Sequence, residues 1–226
     1  DTENDVKSLL EKESEQLRVT YGIRADFRFA PGFAHEEIDL MQQELKADLV
    51  IMGIAHGSAL SDYLLGSTTV SFIRHAHCPV LVIPGEVHFI RPRRILYACD
   101  YDSRNTPAVL HPLKDLATIF NSRVYVLNVV KNGEGFPVQK SIEGIHIDEY
   151  LETINHIFYF PENESVVDGI TRFVNTHDVG WVAVVPHQHS WYERVLNKST
   201  TKKYLFHENR PVLVLPDHMR FGDTVQ

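Results

Sequence analysis

The sequence predicts an α/β protein made of two doubly wound parallel-sheet domains in tandem, and three observations carry that expectation. Short aliphatic runs alternate with amphipathic stretches, as in strands covered by helices. The chain repeats itself at an offset of 132 positions. With 226 residues and 43% hydrophobic content, it is long and apolar enough for one large or two small domains, each with its own core. Without a gap, Val50 to Pro84 faces Val182 to Pro216 with 12 identities in 35 positions, among them Ser67, Thr68, Thr69, His75 and Pro79.

Taken in order, Val6 to Thr20 reads as a helix, Ala25 to Phe29 as a strand and Glu36 to Lys46 as a helix. Asp48 to Gly53 is an aliphatic strand. A polar loop then leads to Ser67 to His75, whose Ser-Thr-Thr start offers hydroxyls to the free amides of a helix. Val80 to Ile83 is apolar at every position and ends at Pro84, as in a strand covered on both faces. The boundary between halves falls near Gly85 to Arg93, giving units 1–88 and 89–226.

The second unit opens with strand Arg94 to Cys99, helix Thr106 to Phe120 and strand Arg123 to Val130. The repeat then resumes with strand His156 to Phe160, helix Glu164 to Asn175, strand Trp181 to Val185, helix Ser199 to His207 and strand Val212 to Leu215. The first unit has no counterpart of the opening strand, helix and strand, so an N-terminal segment of that kind is expected to be missing. The aliphatic runs at Val80 and Val212 are edge strands in the expected order and are expected to pair the two halves within the chain; a homodimer is left open as well.

Thirty acids against 22 bases leave a net charge of -8, which argues against nucleic acid as a partner. The longest apolar runs fall far short of the roughly 18 residues that a bilayer-spanning helix needs. A cytoplasmic location is the default reading. Cys78 and Cys99 have no CxxC spacing and read as buried free thiols.

The run Ala47 to Gly53, Gly66-Ser67 entering a helix, and Cys78 to Pro84 together resemble the universal stress protein family. Arg94 to Asp100 and Pro211 to Pro216 extend the resemblance over nearly the whole chain as a tandem pair. It implies two Rossmann-like, or flavodoxin-like, domains acting as a non-catalytic nucleotide-binding or signalling module in stress response. The implied ligand is ATP or a related adenine nucleotide.

Many members of that family hold ATP on a loop of the form Gly, two residues, Gly, nine residues, Gly, then Ser or Thr. Glycine lets the backbone approach phosphate, and a helix start offers amides to the anion. In the first half, the candidate nucleotide-binding residues are Met52, Gly53, His56, Gly57, Gly66, Ser67 and Thr68. His56 stands at the middle glycine position and Gly57 is displaced by one. Either the loop slips to use Gly57, with His56 as an added donor, or the site is closed. In the second half Val185 and Lys198 replace the outer glycines, so this loop is not expected to hold a triphosphate. Asp100 matches the acidic residue that the family places near adenine and ribose, while Asp102 stands where Ser or Thr is usual. The bland reading of Asp100 is a turn or cap before Thr106.

The pairs His75/His77 and His187/His189 raise a metal reading, but His75 and His207 both fall at helix ends, where imidazolium meets the dipole favourably. No metal and no catalytic residue is assigned. No GxSxG, HExxH or Walker loop is present. The alternatives to a nucleotide-binding module are a ligand-free interaction scaffold and a nucleotide-hydrolysing enzyme on the same fold.

Overall fold

The computed structural model describes residues 2–54, 67–85, 89–101, 106–130, 133, 138–186 and 210–217. Two helices come first, α1 (Thr2–Tyr21) and α2 (Ala34–Leu45), followed by β1 (Val50–Ile54), α3 (Ser67–Ile73) and β2 (Val80–Pro84). The second half runs β3 (Arg94–Ala98), α4 (Pro107–Phe120), β4 (Arg123–Leu127), α5 (Val138–Leu151), β5 (His156–Tyr159), α6 (Val166–Thr176), β6 (Trp181–Val184) and β7 (Val212–Val214). The expected helix at 199–207 lies outside the described residues.

All seven strands form one sheet, ordered β1-β2-β7-β6-β3-β4-β5. Pairing is parallel everywhere except between β2 and β7, where Val80 faces Val214, Leu81 faces Leu213 and Val82 faces Val212. The halves therefore join edge to edge through the two aliphatic runs, as their sequence predicts. Each run, exposed alone, would be an apolar edge inviting association. Joined, Val80, Val82, Val212 and Val214 are completely buried.

Side chains alternate across each strand and build two cores. One face carries Leu96, Leu127, Val184 and Val214 under α3 and α6. The other carries Ile95, Val126, Ala183 and Leu213 under α4 and α5. Local chemistry sets the helix ends. Thr106 Oγ1 accepts from Val109 N at 3.4 Å with Pro107 opening α4, and Asn121 closes it in the left-handed region at φ 50°.

Two expectations need correction. Ala25 to Phe29 forms no strand, although β5 forms at the equivalent place in the repeat. β5 exists because β4 pairs with it, from Val124 with His156 to Leu127 with Tyr159. The first half has no described equivalent of β4, and an extended segment without a ladder partner leaves its backbone groups to water. The second correction is α5, which the sequence reading did not single out. It lies 132 positions after part of α1, so the repeat itself held the signal.

Candidate functional site

In an open parallel sheet, ligands gather beyond the carboxyl ends of strands where the winding direction reverses. In the second half that place lies between β3 and β6. From β3 the chain runs outward through β4 and β5, then returns to the other side of β3 as β6 and β7. Asp100, half-buried, stands two residues past the end of β3. Beside it β6 leads to buried Val185 and half-buried Pro186.

The turn that presents Asp100 is fixed on both sides. Cys99 N donates to Leu127 O at 2.9 Å, which extends the β3–β4 ladder by one bond. Asn128, 4% exposed, donates from Nδ2 to Cys99 O at 2.7 Å. Tyr101 N donates to Cys99 Sγ at 3.3 Å, and Tyr101 takes a left-handed φ of 56°. Its ring is buried against Phe160, with centroids 6.0 Å apart, and a side chain at Gly144 would come within 3.1 Å of it. Burial pushes the Tyr101 hydroxyl well above the ordinary tyrosine range, with Cys99 adding to the effect, so this phenol stays neutral.

Asn128 was missed by sequence reasoning. Its only signal is a lone amide within the apolar run Val124 to Val130. Its Nδ2 is spent on Cys99, and its Oδ1 is buried without a hydrogen-bond partner among the described residues.

The first-half candidates lie elsewhere. Gly53 is exposed near the end of β1, and a side chain built on it would meet nothing within 4 Å. Met52, its neighbour in the strand, packs half-buried against the core under α3 and α6, and its backbone groups are directed at β2. Ser67 opens α3, and Thr68 follows half-buried. His56, Gly57 and Gly66 lie outside the described residues, as do Asp102, His187, His189 and Lys198.

The structure does not bring Asp100 to these residues. Because β2 and β7 run antiparallel, the carboxyl ends of β1 and β2 point away from those of β3, β4, β6 and β7. Gly53, near the carboxyl end of β1, and Asp100, past that of β3, therefore sit at opposite ends of one sheet and cannot enclose a single ligand.

Both cysteines are buried, and neither is in a disulfide. Cys78 Sγ donates to Gln42 Oε1 at 3.3 Å, and the same oxygen accepts from His77 N at 3.2 Å. Burial, with the Asp48 charge adding to it, pushes the Cys78 thiol up to about 11, which suits packing rather than nucleophilic work. His75 Nδ1 lies 2.9 Å from Ser71 O just past the end of α3, the helix-end position its sequence context predicts. Among the described residues, no three His, Cys, Asp or Glu side chains converge as metal ligands, and no helix is long and apolar enough to cross a membrane.

A mostly parallel sheet with helices on both faces defines a doubly wound α/β fold. The sequence profile of the Universal stress protein family matches residues 3–84. A universal stress protein of Methanocaldococcus jannaschii is 33% identical over 72 residues, covering 32% of this chain and 42% of its own. Universal stress protein G of Shigella flexneri is 41% identical over 61 residues, covering 27% of this chain and 41% of its own. The chain thus spans about two-fifths of the length of these curated relatives. The crystal structure of a universal stress protein from Archaeoglobus fulgidus superposes over 95% of this chain and 79% of its own, with a TM-score of 0.73 at 15% identity. A functionally unknown protein from Pseudomonas aeruginosa covers 94% of this chain with 78% of its own, at a TM-score of 0.63 and 18% identity. At that identity the likeness is one of fold. Residues 3–84 thus match the Universal stress protein family, and the chain as a whole shares its fold with a solved universal stress protein.

Proposed function

We propose that the protein is a non-catalytic nucleotide-binding or signalling module of the stress response, located in the cytoplasm and organised as units 1–88 and 89–226. ATP or a related adenine nucleotide is held at the first half by Met52, Gly53, His56, Gly57, Gly66, Ser67 and Thr68. Asp100 serves a separate, reduced site at the other end of the sheet. The observation behind this reading is Gly53, placed at the carboxyl end of β1 with open space where a side chain would stand. Phosphate recognition needs that freedom, and the family match covers this segment.

The second reading, a ligand-free scaffold, is favoured by the second half, where Val185 and Lys198 stand at the positions of Gly53 and Gly66. Intrachain pairing occupies both aliphatic edges, so a homodimer would need another surface.

Calorimetric titration of the protein and of His56→Gly with ATP, ADP and AMP, on either side of the imidazole pKa of about 6.5, tests the proposal. If His56 closes the loop, the glycine variant gains or tightens ATP binding. If the loop slips to use Gly57, the variant binds more weakly, most of all at the acid pH where His56 is charged. Absence of binding by both forms removes the nucleotide reading and leaves the scaffold.

A further inference from the structure

Residues 91–93, which lead into β3, are strapped to the turn between α4 and β4. Arg91 Nε donates to Phe120 O at 2.8 Å, Ser122 Oγ donates to Pro92 O, and Arg123 N donates to Arg93 O at 2.9 Å. Pro92 is buried, and a side chain at Gly180 would come within 3.0 Å of its Cα, so the start of β6 presses on the strap as well.

These contacts orient two guanidinium groups. Arg91 spends Nε on the last carbonyl of α4, and Arg123 spends Nε on Asn155 Oδ1 at 3.1 Å. A single bond at Nε fixes the plane of each group, and in Arg91 it also satisfies the helix end. The two terminal nitrogens of each have no acceptor among the described residues, and both residues are exposed. Arg93 is exposed too, and its side chain makes no hydrogen bond or ion pair with a described residue. Of the four arginines here, Arg94 alone has a carboxylate within ion-pairing distance among the described residues, Asp178 Oδ2 at 2.6 Å.

Apolar side chains adjoin these charges. Phe89 is 68% exposed, with its ring 6.0 Å from that of Phe120, which rests edge-on against buried Trp181 at 5.3 Å. Ile90 is 78% exposed, and Ile119, next to Phe120 at the end of α4, is 68% exposed. Any one such side chain in water is ordinary. Together with three guanidiniums that lack a carboxylate, in a chain of net charge -8, they make a local reversal of the surface.

We infer that this surface is a docking site for an acidic segment of a partner polypeptide, one in which carboxylates alternate with apolar side chains. Carboxylates match the free forks of Arg91 and Arg123 bidentately, and forks already held by Nε lose little freedom on binding. The partner's apolar side chains seat on Phe89, Ile90 and Ile119 and keep water from the ion pairs, which strengthens them. Charge selects the occupant. A nucleic acid or an anionic bilayer presents an extended negative field to the whole molecule and is repelled at net charge -8, whereas a short acidic segment meets the arginines alone. The surface lies at the end of the sheet that carries Gly53, away from Asp100.

A short synthetic peptide of alternating Glu and Leu, titrated into the isotope-labelled protein without nucleotide, tests the site. The amide resonances of Phe89, Ile90, Arg91 and Arg123 are expected to shift, and binding should weaken on the order of tenfold between about 50 and 300 mM salt. Arg93→Glu and Arg123→Glu disturb no buried side chain, so each should melt as the wild type while binding on the order of tenfold more weakly. Ile90→Ser should weaken binding roughly threefold. Equal binding of the same peptide with Gln for Glu overturns the inference. So does an acidic peptide that shifts none of these amides at about millimolar concentration. Arginine-dependent binding to phosphatidylserine vesicles overturns the polypeptide assignment, as does arginine-dependent self-association that rises with protein concentration, since a second copy would then be the occupant.

Discussion

β1 and β6 occupy equivalent places in the repeat, and each pairs on its inner side with the aliphatic strand that joins the halves. β6 is buried along its whole length, while β1 alternates between half-buried and exposed. Their sequences are similarly apolar, so composition does not explain the difference. Neighbours do: β6 has β3 beside it and α4 over it, and the described first half offers β1 neither. An aliphatic run commits a segment to extended structure, but burial depends on what the rest of the fold brings alongside.

The strongest way to break this comparison is at the seam between the halves. Val82 and Val214 are completely buried beside the antiparallel junction, so Val82→Lys or Val214→Lys should each cost roughly 4 kcal/mol by placing an unpaired charge in the core. Denaturant titration should show unfolding or separation of the halves, and wild-type melting in both variants would contradict the seam. Leu110 of α4 is completely buried, and Leu110→Ala should cost about 3 kcal/mol. Ile51→Ala in the 226-residue chain should change stability by less than about 0.5 kcal/mol, because its side chain is already in water.

A third test uses the repeat pair Glu37 and Gly169. A side chain at Gly169 would come within 2.8 Å of both Val129 methyls, so Gly169→Ala should destabilise by about 1–3 kcal/mol. Glu37→Ala should be neutral to within about 0.5 kcal/mol, because the first half has no described counterpart of Val129 pressing on it. A further effect is the pH dependence from Cys78. Its thiol is raised from 9.0 to about 11, so the folded state binds the proton more tightly than the unfolded chain. That contribution is fully present below pH 9.0 and is lost as pH rises towards about 11. Chemical denaturation across that window should show stability falling, with a shallower fall in Cys78→Ala.

Much of the fold could be read from the residues. Val80 to Pro84 and Val212 to Leu215 are aliphatic and end at proline, and the structure makes both of them inner strands. The segment 25–29 misled because strand formation there depends on a distant partner that the local pattern does not encode. α5 went unnoticed because the only sign of it is its offset from α1. For the site, the end of β3 and the position of Asp100 followed from the run Arg94 to Cys99. The separation of Asp100 from Gly53 did not, because aliphatic side chains look the same whether β2 and β7 pair parallel or antiparallel.

The antiparallel seam also constrains communication. Two ligands bound at the opposite ends of this sheet would never touch, and each could come and go without blocking the other. A signal passing between them through the sheet would have to cross the ladder of Val80, Leu81 and Val82 against Val214, Leu213 and Val212. Rigid aliphatic packing transmits small displacements but offers no charge to redistribute. Crosstalk through the seam would therefore take the form of a shift in strand position, a mechanical rather than an electrostatic link.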